Sequence, residues 1–370
     1  MKPSRLLLRL EAGIANARTM LEADCLRAER AGYLVRLGRF EEVSAELALL
    51  RTRYDDRPNV KISAWVNLVE GLGVYFSGTG APKTDKLKRS FALSSAAGLQ
   101  SLQALSSAWL AQFDYVRVDM DSMASNVRKS LQLAKPEDHS ARSRATLVVA
   151  QALHLAGRQD LAVPWYRSAR DHAVADGDAA TTSALMHNMG WLRMMTLRQT
   201  VLSANTFALG GEHALMSADS TSQFDFLIGD ASWAVLKPIL RAQILSLEGN
   251  FEDALALYET HLSAVDSDGI KRLQPNLLAD KAWCLAKTGQ TVLAEECATN
   301  ASKSIDSSTH NDDLAAAHSR LAQAFSILLD ADSEQLHARM AKDAWLVHES
   351  LQKHLFRLLG KLTDSGFDVD

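Results

Sequence analysis

The chain has 370 residues, 47% of them hydrophobic, and a formal net charge of -4. This charge provides no basic field for nucleic acid or for an anionic membrane surface, so we expect neither as a partner. The three cysteines, Cys25, Cys284 and Cys297, lack the spacing of a metal site or a disulfide framework, which favours a reducing, cytoplasmic location. The sequence has no run of about 18 apolar residues, so we expect no membrane span.

From the N-terminus onward, the pattern is one of amphipathic helices. The first leucine run is interrupted by Arg9 and Glu11, which predicts a helix rather than a signal peptide. Further along, glycine recurs between two helical patterns, where a left-handed residue closes one helix before the next begins. The clearest glycine-centred turns are at Gly38, Gly157, Gly249 and Gly289. Weaker copies of the same pattern predict turns near residues 78, 119, 197 and 331.

Side chains keep a fixed register around the four clear turns. Alanine stands seven residues before each glycine, at Ala31, Ala150, Ala242 and Ala282. Leucine stands four before, at Leu34, Leu153, Leu245 and Leu285. A small or branched residue follows five after, at Val43, Ala162, Ala254 and Ala294. Small residues recur where two helices must approach closely, so the chain is predicted to be a series of helical hairpins.

This register resembles the tetratricopeptide repeat (TPR) family, which places small and aliphatic residues at such positions of its two helices. The step between turns is about 40 residues except for the 52 from Leu197 to Gly249, and so is longer than the roughly 34 of the standard repeat. It resembles the variant found in sensor domains of bacterial transcriptional activators. The resemblance implies an all-α, right-handed superhelical solenoid of about eight antiparallel hairpins. One such domain would span residues 1–370, with a seam near 210–222 and no separate effector domain.

Motifs that carry chemistry do not occur in the sequence. There is no phosphate-binding loop, dinucleotide-binding glycine motif, zinc-protease motif or serine-hydrolase elbow. Carboxylate pairs such as Glu41 and Glu42 lie at helix starts, where acidic side chains complement the helix dipole. We therefore expect no catalytic residue, no metal site and no cofactor.

The TPR resemblance also implies a concave groove lined by the first helix of each hairpin. The residues at fixed sequence distances before each turn are predicted to line this groove, and many of them have aromatic or amide side chains. The predicted binding residues are Tyr75, Gln151, His154, His187, Asn188, Trp191, Gln243, Trp283 and, one position further round, Lys287. Trp65 and Arg144 fall on the same face. For the indole rings, packing between neighbouring helices is the competing interpretation, and for the histidines a hydrogen-bonded lining without titration.

Two function classes remain open from the sequence. The first is a non-catalytic scaffold or sensor, bacterial and regulatory, that binds a protein or peptide segment with apolar or aromatic side chains. Arg144 and Lys287 are isolated cations, so the family's clamp for a C-terminal carboxylate is not expected. The second class is an enzyme, or a small-ligand-binding regulator, whose site is assembled from side chains of the helical stack without a recognisable motif. The oligomeric state is not predicted.

Overall fold

The computed structural model describes residues 4–77, 83–204, 220, 223–225, 227, 236–267, 271–306 and 309–363. Regular structure throughout these residues is helical, and none of them belongs to a strand. This confirms the all-α prediction for the described part of the chain.

The first ten helices follow one another with short connections. They are α1 (Arg5–Ala15), α2 (Met20–Arg36), α3 (Phe40–Tyr54), α4 (Val60–Phe76), α5 (Asp85–Ala96), α6 (Gln100–Val116), α7 (Met120–Leu133), α8 (His139–Leu155), α9 (Gln159–Asp176) and α10 (Ala179–Ala204). The later helices are α11 (Leu236–Glu248), α12 (Phe251–Ser267), a 3-10 turn (Lys271–Leu273), α13 (Gln274–Lys287), α14 (Thr291–Ser304), α15 (Asn311–Ile327) and α16 (Ala331–Thr363).

The four clear glycine turns are confirmed. Gly38, Gly157, Gly249 and Gly289 all have φ between 72° and 88°, in the left-handed region that closes a helix. At Gly38 the neighbouring amides cap the end of α2: the Arg39 N–H donates to the Leu34 carbonyl oxygen at 3.0 Å. The turns near 119 and 331 also form, although the left-handed residues there are Val118 and Leu329.

The predicted register corresponds to the core. Ala31, Ala150, Ala242 and Ala282 are fully buried, as are Ala254 and Ala294. The leucines four before each turn glycine, together with Val43 and Ala162, are also buried. Alanine at these positions lets the two helices of a hairpin approach without side chains between them.

One predicted turn is wrong, because α10 continues without a break through Leu197. No glycine stands there to take a left-handed conformation, and the apolar positions of α10 keep their helical spacing: Met194 and Val201 pack in one core with Leu240. The prediction also missed two left-handed turns, at Gly98 and Gly177. The predicted turn near residue 78 lies outside the described residues, and so does the predicted seam at 210–222 apart from residue 220.

The chain divides into two compact units. The first comprises residues 1–188, 223–232 and 355–370, and the second comprises 189–222 and 233–354. In the first unit, α1 packs against α2 and buries Leu6, Leu7 and Leu10. In the second, α13 packs against α14 and α15 around an alanine-rich core.

Gly177 fixes the position of α1 in the first unit. The Leu6 N–H donates to the Gly177 carbonyl oxygen at 3.2 Å. A Cβ atom added at Gly177 would lie 2.7 Å from Arg5 Cβ, and the φ of 74° also disfavours any other residue. This close approach brings α1 over the helices that line the cavity described next.

Candidate functional site

The first unit contains a cavity of about 250 Å³. Its wall is formed by α1, α2, α4, α6 and α8, with Asp176 at the end of α9. Leucine side chains from α4 and α6 form one apolar side, among them Leu68, Leu72 and Leu105. Charged side chains come from α1, α2 and α8, and from Glu137 and Asp138 just before α8. A concave, partly enclosed space with an apolar wall and a few polar groups is the usual form of a small-ligand site.

Arg144 is the most unusual residue of the cavity. Its guanidinium lies over the Trp109 ring, 4.0 Å from the centroid, and only 5% of the residue is exposed. Nε has no hydrogen-bond partner, and no carboxylate of the described residues lies within ion-pair distance. Burial, followed by repulsion from Arg36, lowers the pKa of Arg144 to about 10, so the group remains charged at neutral pH. The guanidinium therefore has no carboxylate in ion-pair contact among the described residues, although the charge of Asp178 favours its charged form.

The other two arginines of the cavity are already paired. Arg36 Nη1 lies 2.6 Å from Asp178 Oδ2 and 2.9 Å from Thr181 Oγ1. Arg9 Nη2 contacts Asp176 Oδ1 at 2.5 Å, and Ser140 Oγ donates to the second oxygen of the same carboxylate. Each of these arginines is neutralised by its aspartate. Arg144 is therefore the arginine of the cavity that has no ion pair.

Glu29 is one of four acids that line the cavity, with Glu137, Asp138 and Asp176. It lies on α2, is half-buried, and has no ion pair among the described residues. Burial raises the pKa of Glu29 to about 7, and the nearby negative charge of Asp176 adds to this effect. Near neutral pH its carboxyl group is therefore divided between the protonated and the ionised form.

Two histidines lie beside the part of the cavity wall that α8 forms. The Nδ1 atoms of His139 and His172 lie 3.0 Å apart, so one ring must donate the hydrogen bond and the other accept it. Burial, and then the neighbouring ring, lowers the pKa of His172. His139 lines the cavity, whereas His172 does not.

The second unit holds a cluster with the composition of a metal site. Ligand atoms of His310, Asp312 and Asp313 lie within 4.8 Å of one another. However, Arg198 Nη2 already contacts both carboxylates, at 3.3 Å and 3.0 Å, and Arg272 Nη1 lies 3.2 Å from the His310 ring. A cation would have to displace two guanidinium groups, so the arrangement fits a buried ion-pair network better than a metal site.

The predicted groove residues are divided between the two units. In the first unit Gln151 and His154 are buried, and His154 Nδ1 lies 3.3 Å from the Tyr166 hydroxyl. Tyr75, His187 and Asn188 are half-buried, and the Tyr75 ring packs on Phe113. None of these five residues lines the cavity. Trp65 and Arg144, from the same predicted face, do line it.

In the second unit Gln243 is fully buried, and neither end of its amide has a partner. Trp191 and Trp283 are half-buried and pack against the core, and Lys287 is exposed. The Lys287 ammonium and the Arg320 guanidinium lie 5.2 Å and 5.4 Å from the centroid of the Trp283 ring. A partner can reach Gln151, His154 or Gln243 only if the surrounding helices separate. Their role in binding stays a prediction.

Comparison with known proteins gives no family for this chain. No protein-family model matches it, and no curated protein has a matching sequence. Among the described helices, none is both long enough and apolar enough to cross a membrane.

Proposed function

We propose that this chain is a non-catalytic, ligand-binding regulator built from TPR-like hairpins, and that its first unit binds a small molecule carrying an anionic group. The observation that carries the proposal is the Arg144 guanidinium, which is buried beside a cavity without a counter-ion. In this proposal the ligand supplies the missing negative charge.

The energetic argument rests on the cost of an isolated buried charge. Removing one ion from water costs several kcal/mol in proteins, after relaxation of the surroundings. The stacking of Arg144 on Trp109 recovers only about 2 kcal/mol in a desolvated setting. A guanidinium that remained unpaired would therefore lower stability. Binding sites commonly keep such a destabilising group because the ligand completes it.

The helical architecture supports a binding role over catalysis. The buried register of alanines and leucines is that of stacked hairpins, and the right-handed solenoid of the TPR family is the arrangement we infer from it. Repeats of this kind hold a site by the spacing of successive first helices. The cavity is lined by the first helices α2, α4, α6 and α8, so a ligand would bridge several hairpins at once.

Peptide binding by the second unit is the second candidate. It is favoured by Trp283, whose indole is half-buried beside the exposed Lys287. An indole of this kind gives a partner flat apolar area with one hydrogen-bond donor. Trp283→Ala should then weaken binding of a captured peptide without loss of helicity.

Native mass spectrometry tests the main proposal. The parent protein, Arg144→Met and the exposed-surface control Arg167→Met would each be incubated with a small-molecule extract of cells and transferred into the gas phase. We expect a bound mass on the parent and on Arg167→Met, and none on Arg144→Met. If no small molecule binds the parent, or if Arg144→Met retains it, the proposal is wrong.

A further inference from the structure

The charges that line the cavity restrict the kind of anion that it can accept. Arg9 and Arg36 are each neutralised by an aspartate, so one cation, Arg144, has no partner. Glu29, Glu137, Asp138 and Asp176 also line this space. A phosphate or another dianion would meet these carboxyl groups with only one free guanidinium to balance it. Because an arginine fork matches a single carboxylate with two parallel hydrogen bonds, a carboxylate fits better.

Glu29 is the second group without a partner. Arg144 and Glu29 both line the cavity, and they are not within ion-pair distance of each other. Neither group is among the charges that perturb the pKa of the other. They therefore stand apart in one space, a cation and an acid, each available to a ligand group of opposite charge. A ligand that satisfied only one of them would leave the other buried and unpaired.

The size and the apolar wall set further limits. The cavity has a volume of about 250 Å³. It is smaller than the usual pocket for drug-sized ligands, which begins at about 300 Å³. The wall of Leu68, Leu72 and Leu105 provides an apolar surface but no hydrogen-bonding side chains. The ligand should therefore be small, with an apolar skeleton between or beside its charged groups.

We propose that the cavity binds a free zwitterion of the amino-acid class, whose carboxylate pairs with Arg144, whose ammonium group pairs with Glu29, and whose apolar part packs on the leucine wall. This inference rests on the proposed function and specifies its ligand. Burial raises the pKa of Glu29 although Arg9 and Arg36 act to lower it, and an ammonium ion in contact with the carboxyl group would lower that pKa further.

Isothermal titration with defined probes tests this inference. The zwitterions are L-leucine, L-phenylalanine and 6-aminohexanoate, which cover short and long separations between the two charges. Each has two single-charge analogues that keep its skeleton: for L-phenylalanine they are 3-phenylpropanoate and 2-phenylethylamine. We expect at least one zwitterion to bind the parent protein, and each of its analogues to bind at least tenfold more weakly.

Two variants assign the groups. In Arg144→Met the zwitterion should bind no better than its amine analogue, and in Glu29→Gln no better than its carboxylate analogue. Arg167→Met should bind like the parent, and circular dichroism checks that each variant is folded. The comparison of analogues uses the parent protein alone, so it stands even if a variant fails to fold.

Two results would overturn the inference. If 3-phenylpropanoate binds the parent as tightly as L-phenylalanine, the ligand is a simple carboxylate; the anion site of the proposed function then stands, and the role of Glu29 is wrong. If no zwitterion binds, this ligand class is wrong. The extract experiment then decides separately whether the cavity binds any small molecule.

Discussion

Two buried arginines, one in each unit, differ in what surrounds them. Arg198, in the second unit, is 2% exposed, and Nη2 contacts Asp312 and Asp313. Arg144, in the first unit, is 5% exposed and has an aromatic ring and a cavity beside it, but no carboxylate. Both side chains are buried, but Arg198 has Nε and Nη1 fully buried without a hydrogen-bond partner, whereas in Arg144 this is true of Nε alone. Of the two, only Arg198 has a carboxylate partner among the described residues.

The difference indicates two different roles. Arg198 is neutralised within the fold, so its contribution is to hold α10 against α15 inside the second unit. Arg198 also relieves the repulsion between the two aspartates. Burial and the charge of Asp312 raise the pKa of Asp313, and Arg198 opposes this rise. Arg144 relieves no buried carboxylate. The free-energy cost of burying Arg144 is explained if a ligand supplies the negative charge.

The largest expected effect is that of Arg198→Met. The substitution keeps most of the volume but leaves Asp312 without an arginine and Asp313 with only Arg272, at 3.7 Å, and breaking a buried pair in this way costs about 3–5 kcal/mol. Urea unfolding monitored by circular dichroism measures the loss. An unfolding free energy within about 1 kcal/mol of the parent would show that the network is not structural.

The pH dependence of stability should have opposite signs in the two units. In the second unit His318 Nδ1 lies 2.8 Å from His337 Nδ1. Burial, and then His337, lowers the pKa of His318 from 6.5 to about 4. Between pH 6.5 and 4 the unfolded chain takes up this proton and the folded chain does not. The free energy of unfolding should therefore fall by about 2–3 kcal/mol as the pH is lowered from 6.5 to 4.

Glu29 has the opposite sign, because its folded pKa of about 7 lies above the ordinary 4.5. Its contribution is present below pH 4.5 and is lost as the pH rises to 7. The measurement is the unfolding free energy of the parent, His318→Gln and Glu29→Gln at several pH values from 4 to 8. His318→Gln should remove part of the acid loss, and Glu29→Gln part of the loss toward neutral pH. Parallel profiles for all three proteins would refute both assignments.

A pair of helical glycines tests whether the cavity is open space. Gly32 lines the cavity, and a Cβ atom there would meet only Val69, at 3.7 Å. Gly71 lies in α4, where a Cβ atom would meet the buried Leu87 side chain at 3.0 Å. Gly32→Ala should stabilise by up to about 1 kcal/mol through helix propensity. In Gly71→Ala crowding should offset that gain, for a net loss of about 1 kcal/mol.

Thermal melting in parallel is sufficient for this pair. A lower melting temperature for Gly32→Ala than for Gly71→Ala would mean that α2 is packed as tightly as α4, and the cavity would then be doubtful.

The repeated core could be predicted because its signal is local. A turn glycine, an alanine seven residues before it and a small residue five after it define one hairpin without reference to the rest of the chain. The turn near Leu197 was predicted wrongly because α10 continues on contacts with distant helices: Val201 packs in a core with Ile244 of α11, and the adjacent Arg198 pairs with Asp313 of α15.

The site could be predicted only in part. Spacing placed Trp65 and Arg144 on the face that lines the cavity, but it could not show which arginine lacks a partner. Pairing depends on distant segments: Arg36 meets Asp178, 142 positions away, and Arg198 meets Asp313, 115 positions away. Nor could spacing show that α1 lies over this face, since that contact depends on Gly177. The one signal in the sequence that pointed to the site was the isolation of Arg144 on the predicted groove face.

The stability of ligand-free Arg144→Met tests the central claim most directly. The protein would be unfolded, dialysed to remove any bound molecule, refolded and titrated with urea beside the parent. Because an unpaired buried cation costs free energy, its replacement by an apolar side chain of similar length should leave the unfolding free energy unchanged or raise it by about 1–2 kcal/mol. A loss of about 2 kcal/mol or more would contradict the account, since Arg144 would then be a structural residue like Arg198.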